Sequence, residues 1–567
     1  MGVASNVDPI GFCGNEEVGG VNLEIVELAE HHLERLTELD PTGSSARGTD
    51  GDEARLTDVS PDGISELDRL NRETLSKVTS IVVDNPTDKM LIDSMSERLN
   101  SQIELFESGV WMRDLNILFS PLQSMRLAFD LMAKTTEEEK FNLIKRVESV
   151  PALIGQMIST LELGKSQGEL ASRRQAVECM RQARALAGDT GYGFFGRLMA
   201  GSSTSGNAVQ AEAATALQRF ANYLEDDYVP SAPDRDGAGG AEWKLRCRQF
   251  NGMEFDPEDT YEWGWEELRL VQKEMDQIAA EISPGTPLQE VFRQLDNDEK
   301  LKISGEAEFL GWNQSVIDRA MAELAQSHFD IPEAIQRCEA MLAPPGGAAA
   351  MYYTRPSSDL SRPGRTWYPT RGRSNFSLWN EMTVVYHESV PGHHLQLGLI
   401  TYLGNRLNAF QRVLGQTSGL SEGWALYAES LMDELGLFPG PAFRLGMFSS
   451  QAFRSARVVV DIGLHHGYEI PDGWGRFSGE RWTPDLAVDF MVDVTGLSRE
   501  FMSSEIDRYL GVPAQATSYK LGHRVWREAR FAAERSKGSA FDLKSFHMEA
   551  LGLGFVGLDQ LRSAFEG

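Results

Sequence analysis

The segment Ser377 to Gln396, SLWNEMTVVYHESVPGHHLQ, demands a specific distortion of the chain. Leu378, Met382 and Val385 recur at helical spacing, which leaves His387 and Glu388 near the C-terminal end of a helix. Two histidines four apart on one helix can share an ion about 2.1 Å from each. Here His393 and His394 follow His387 by six and seven residues. On an unbroken helix that separation is about 9–10 Å along the axis, too far to share a metal. Pro391 removes a backbone donor and clashes with the preceding turn, and Gly392 admits dihedrals closed to other residues. The helix is therefore expected to break there and to swing His393 or His394 back toward His387. Three of the chain's 10 histidines are committed to this stretch.

A third ligand must come from elsewhere. In Gly419 to Glu429, GLSEGWALYAE, Ser421 can cap a helix on which Leu420, Trp424, Tyr427 and Leu431 form an apolar stripe. Glu422 and Glu429 share one face of that helix. One of them can ligate an ion while the other supports a ligating histidine by hydrogen bonding. Taken singly, each residue also reads as a solvated helix carboxylate or a packed histidine.

Apolar residues three and four apart dominate the rest of the chain, predicting helices over 84–110, 115–136, 140–164, 209–227, 263–282, 316–343, 421–436 and 498–510. Strand-like alternation is confined to the neighbourhood of Met351 to Tyr353. The fold class is mostly α with at most a small β-sheet. Gly, Ser and Pro cluster at 40–64, 201–207, 229–240 and 344–374. These breaks divide the 567 residues into an N-terminal helical subdomain, 1–230, with a flexible acidic loop near 40–64, and a helical catalytic subdomain, 231–567.

The two motifs, in this order, resemble the bacterial domain-of-unknown-function 885 family, whose pattern is HExxPGHxxQ followed by EGWAxYxE. His387, Glu388, Pro391, Gly392, His393 and Gln396 match the first, and Glu422, Gly423, Trp424, Ala425, Tyr427 and Glu429 the second. The likeness continues through RVVVDIGLH, with Arg457, Asp461 and His465, and through EIDRYLGVPAQATSYKLG, where Ala514 replaces a family glycine and Tyr519 keeps its place. It is strong from about residue 345 onward and weak before.

The resemblance implies a large helical metallopeptidase-like fold of the gluzincin kind with a deep central cleft. It also implies one zinc ion on His387, His393 and Glu422, since the residue after the second motif histidine varies in the family. Three protein ligands leave an open position for water, as catalytic zinc sites do. Glu388 is then the expected general base, and Tyr519 or His465 the expected donor to the oxyanion. His394, Gln396, Glu429, Arg457 and Asp461 are expected to support the ligands or contact substrate. Arg457 suits a peptide's C-terminal carboxylate, whereas Arg457, Asp461 and His465, four apart on one helix face, equally suit a buried structural ladder. The expected function is zinc-dependent hydrolysis of peptide or amide bonds in short substrates, as a carboxypeptidase or oligopeptidase. The alternatives are a metal-dependent amide hydrolase acting on a non-peptide metabolite, or a metal-binding scaffold without turnover.

Acidic residues outnumber basic ones 84 to 54, a net charge of −30, which repels a nucleic-acid backbone. The local exception is 352–372, where Tyr352, Tyr353, Arg355, Arg362, Arg365, Trp367 and Tyr368 form either a cleft wall or a packed loop. Cys13, Cys179, Cys247 and Cys338 form no CxxC pair, and the N-terminus has neither a basic nor an apolar leader region. No apolar run reaches membrane-spanning length. A cytoplasmic enzyme without membrane or nucleic-acid partners is expected, and the sequence leaves a homodimer open.

Overall fold

The structure, a computed structural model, describes residues 22–49, 51–188, 193–200, 204–343, 351–370 and 372–566. Cys13, the N-terminal segment and the Gly–Ala run at 344–350 lie outside them. The chain is 69% helical, with one two-stranded and one three-stranded sheet, the expected mostly-α class. No described helix is long and apolar enough to cross a membrane.

Six helices frame the candidate site: α1 (Pro257–Ile282), α2 (Glu381–Glu388), α3 (His393–Leu403), α4 (Ser418–Glu434), α5 (Pro441–His466) and α6 (Ser518–Lys537). α1 runs along α5, and α4 along α6. α4 and α6 touch backbone to backbone: a Cβ on Gly522 would lie 1.9 Å from the Gly419 carbonyl oxygen, and one on Gly423 would lie 2.4 Å from Gly522. Any side chain at either position would separate the helices, and with them Glu422 and Tyr519. Trp424 and Trp526, both buried, pack beside this crossing with ring centroids 4.8 Å apart. Loss of so large a buried ring costs about 3–5 kcal/mol.

The sheets lie upstream of α2. β1 (Lys302–Ser304) pairs antiparallel with β5 (Asn375–Ser377), while β4 (Gly364–Tyr368) runs between β2 (Cys338–Leu342, parallel) and β3 (Tyr352–Thr354, antiparallel). The strand expected near Tyr353 is β3. The helix expected over 316–343 is shorter: it spans Glu306–Leu324, Gln326 takes a positive φ of 68°, Pro332 follows, and β2 occupies the end of the run. A short apolar stretch such as CEAML fits either state, and its pairing with β4 decides it.

The N-terminal part is not sealed off from the rest. Ile25, Ala29, Met95 and Leu99 share a buried cluster with Ala409 and Phe410. The stretch near 40–64, expected as a flexible loop, contains a helix at Pro41–Arg47 capped by Asp40. Thr42 and Thr57 exchange backbone-to-hydroxyl bonds of 3.0 and 2.9 Å, and the Thr160 hydroxyl donates to the Val59 carbonyl at 2.8 Å. Gly, Ser and Pro here serve as capping and turn residues.

Candidate metal centre

α2 ends at Glu388 and α3 begins at His393, so the break falls at the expected place. The Val390–Pro391 peptide is cis. The chain doubles back so tightly that a Cβ on Gly392 would lie 1.9 Å from the His387 carbonyl oxygen. The Gly392 N–H donates to Tyr386 O at 3.1 Å and the His394 N–H to Ser389 O at 3.0 Å. The Trp424 indole N–H donates to Pro391 O at 2.8 Å and Gly392 O at 3.1 Å, so the second motif pins the break in the first.

The break brings the histidines together. The His387 and His393 rings stand perpendicular, at 87°, with centroids 4.8 Å apart. Their Nε2 atoms lie 3.1 and 3.5 Å from the same Glu422 oxygen, Oε2. Ligands 2.0–2.2 Å from a tetrahedral zinc ion are separated from one another by about 3.4 Å. Two imidazole nitrogens and one carboxylate oxygen at these spacings fit the ion. His387 Nδ1 donates to Glu429 Oε1 at 2.8 Å, and the other oxygen of that fully buried carboxylate accepts from the Thr383 hydroxyl. This fixes the imidazole with Nε2 turned toward Glu422.

The electrostatics follow from this packing. Burial opposes a charged His387, but the bonds to Glu422 and Glu429 outweigh it and raise its pKa to about 9. Burial likewise opposes the Glu422 charge, and His387 and His393 overcome it, holding that carboxyl well below the usual range.

Glu388 is 8% exposed and has no hydrogen-bond partner among the described residues. Its carboxylate, His387 and His393 each offer a ligand atom within 4.8 Å of the others. Burial raises its pKa, His393 and His387 lower it, and the raising effect prevails. Tyr519 is partly exposed, and its hydroxyl has no partner among the described residues. Burial and then the Glu422 charge push its pKa up.

Other expected residues stand apart from the cluster. His394 is spent on the fold: Nδ1 meets the Tyr353 hydroxyl at 2.9 Å and Nε2 donates to Ile335 O at 2.8 Å, and burial lowers its pKa to about 4. His465 is no oxyanion donor in this geometry, because Nδ1 accepts from the Ala238 N–H at 3.0 Å and Nε2 donates to Tyr509 O at 3.1 Å. Asp461 accepts from Trp243 Nε1 at 2.7 Å and the Ala514 N–H at 3.1 Å. Arg457 donates to Glu505 at 2.8 Å and to the Tyr509 hydroxyl at 3.0 Å. The three residues do not bond to one another but each ties α5 to other parts of the fold, and Arg457 alone of them is in contact with Tyr519, its guanidinium 4.9 Å from that ring centre. Gln396 is buried with Oε1 unpartnered.

The Arg-rich stretch is largely packed. Arg355 lies on the Phe555 ring, Arg362 donates to backbone carbonyls, Arg365 pairs with Glu339 and Tyr352 stacks on Trp367. Cys179, Cys247 and Cys338 are free and buried. Sequence reasoning missed Arg454, one turn before Arg457 on α5, whose charge acts on Glu388, Glu429 and Tyr519. In RSARVVV it reads as an ordinary helix-surface arginine.

The model of a family described as a bacterial protein of unknown function (DUF885) matches residues 41–565. No curated protein matches the chain. Solved structures share the fold, among them two that cover nearly the whole chain. One, titled a "putative lipoprotein" from Colwellia psychrerythraea, superposes with a TM-score of 0.80 at 21% identity, covering 95% of this chain and 98% of its own. The other, titled a "putative lipoprotein of unknown function" from Shewanella oneidensis, gives 0.71 at 18% identity, covering 95% and 99%.

Proposed function

We propose that this chain, which belongs to the bacterial DUF885 family of proteins of unknown function, is a zinc-dependent hydrolase of peptide or amide bonds in short substrates. The observation that carries the reading is the convergence of His387 Nε2 and His393 Nε2 on one oxygen of Glu422, with the unpartnered Glu388 carboxylate alongside. His387, His393 and Glu422 would hold the ion, and Glu429 would orient His387. A zinc ion so held supplies Lewis acidity that activates a water and polarises a carbonyl.

The chain's own groups do the rest. Glu388 takes a proton from the attacking water and returns it to the amide nitrogen as the C–N bond breaks, leaving a carboxylate and an amine. The free Tyr519 hydroxyl donates to the carbonyl oxygen as negative charge develops there. His387 and Glu388 are 3% and 8% exposed, so a substrate must reach into a recess, which favours short chains over folded proteins.

The test is turnover of a mixed peptide library by zinc-loaded wild type and Glu388→Gln. Wild type is expected to cleave and Glu388→Gln to keep its zinc while losing about 10²–10⁴-fold in rate. Bound zinc with no cleavage by wild type would leave a metal-binding scaffold and refute the hydrolase.

A further inference from the structure

Two arginines lie one turn apart on α5 beside Tyr519, and they are not equivalent. Arg457 is committed to Glu505 and Tyr509 and lies over the Phe453 ring at 4.1 Å. Arg454 has no carboxylate within ion-pair distance among the described residues. Among the described residues its hydrogen bonds run to Ser450 on its own helix, to the hydroxyl and to the carbonyl oxygen, and its buried Nε has no partner. The guanidinium stands 6.0 Å from the Tyr519 ring centre and 5.7 Å from that of Phe453, in a partly exposed position. Glu388 and Glu429 feel the Arg454 charge only at longer range, so a partly buried guanidinium with no carboxylate in ion-pair contact among the described residues is open to a direct anionic partner.

We propose that Arg454 holds a carboxylate of the substrate, the free C-terminus of a short peptide, and so makes this an enzyme that trims peptides from that end. This rests on the hydrolase reading above. The guanidinium's planar fork matches a carboxylate bidentately, and Ser450 holds the side chain in place for it. Arg454 flanks Tyr519, so a carboxylate on Arg454 places the bond upstream of it toward Tyr519 and Glu388. The residue expected from sequence to do this, Arg457, already has its anion in Glu505 and serves as a brace for the Tyr519 ring.

The test is binding, measured by calorimetry on zinc-loaded Glu388→Gln, so that no turnover is needed. The probes are an N-acetylated tripeptide with a free C-terminus, the same peptide as its C-terminal amide, and an amide carrying a glutamate side chain at the last position. The free acid is expected to bind about ten- to a hundredfold tighter than the plain amide. Adding Arg454→Ala should remove that difference while leaving amide binding nearly unchanged, and Arg454→Lys should restore part of it. Arg454→Gln serves the same purpose if the alanine variant fails to fold. An acid preference that survives loss of the guanidinium would overturn the proposal, as would equal loss for acid and amide. Preference for the glutamate amide over the free acid would overturn the C-terminal assignment. If zinc-loaded wild type cleaves nothing while the Arg454-dependent acid preference persists, the hydrolase reading fails and the carboxylate site stands.

Discussion

Glu429 carries no catalytic atom, yet its replacement by glutamine is expected to weaken zinc binding. The carboxylate is fully buried, accepts from His387 Nδ1 at 2.8 Å and also takes the Thr383 hydroxyl proton. Glu429→Gln keeps the volume and one acceptor oxygen but removes the charge that makes His387 a stronger base. It also places an NH2 group where Thr383 donates, so that hydroxyl must reverse. Loss of such a partner behind a metal-bound histidine costs about 10–100-fold in metal affinity, or about 1.4–2.8 kcal/mol. Competition with a chromophoric chelator measures this directly, and circular dichroism checks the fold. A zinc affinity within about twofold of wild type, in a folded variant, would refute the assignment of His387 as a ligand oriented by Glu429.

Three further outcomes follow from the same contacts. His393→Ala should lose stoichiometric zinc, whereas His394→Ala should retain it and lose about 1–3 kcal/mol of stability in denaturant titration, because the Tyr353 hydroxyl and Ile335 carbonyl lose their partner; the reverse pattern would exchange the two roles. Ala514 holds a φ of 64°, so Ala514→Gly should raise stability by about 0.5–1 kcal/mol after the glycine's larger unfolded-state entropy is subtracted, and a lower melting temperature would contradict this. Burial lowers His32, His394 and His465 to about 4 and His547 to about 3, so below pH 6.5 the unfolded chain takes up protons that the folded chain refuses. His523, which burial also lowers, adds to this, while Asp461 and Glu381, which burial raises to about 7, oppose it; the histidines outnumber these two carboxyls, so stability is expected to fall as the pH drops from 6 toward 4.5. Urea titrations of zinc-free protein at pH 6, 5.5 and 5 check it, a window below the range in which His387, raised to about 9, adds stability as the pH falls; stability that holds or rises from pH 6 to 5 would contradict it.

The residues of the candidate metal centre were legible because their constraint is local. A histidine six residues after another can return to it only if the intervening chain breaks, and Pro391 and Gly392 announce where. The EGWA segment was legible as a helix, but Trp424 clasping the break and Gly423 meeting Gly522 depend on residues tens of positions away, which no periodicity reveals. The polar face of Arg457, Asp461 and His465 fitted either a site or a brace. What decides for the brace is the supply of partners from elsewhere: Ala238, Trp243, Glu505, Tyr509 and Ala514. Arg454 gave no signal because its place beside Tyr519, with no carboxylate in ion-pair contact among the described residues, depends on how α5 and α6 meet. The 316–343 run failed for the opposite reason: its helical periodicity is real as far as Leu324, and β-pairing claims the end of it.

The central claim is that His387, His393 and Glu422 hold one zinc ion. Elemental analysis of the purified protein, beside Glu422→Gln prepared identically, tests it most directly. The geometry predicts about one zinc per wild-type chain and a large loss in the variant. Wild-type protein that stays metal-free after exposure to zinc, with both histidines intact, would contradict it.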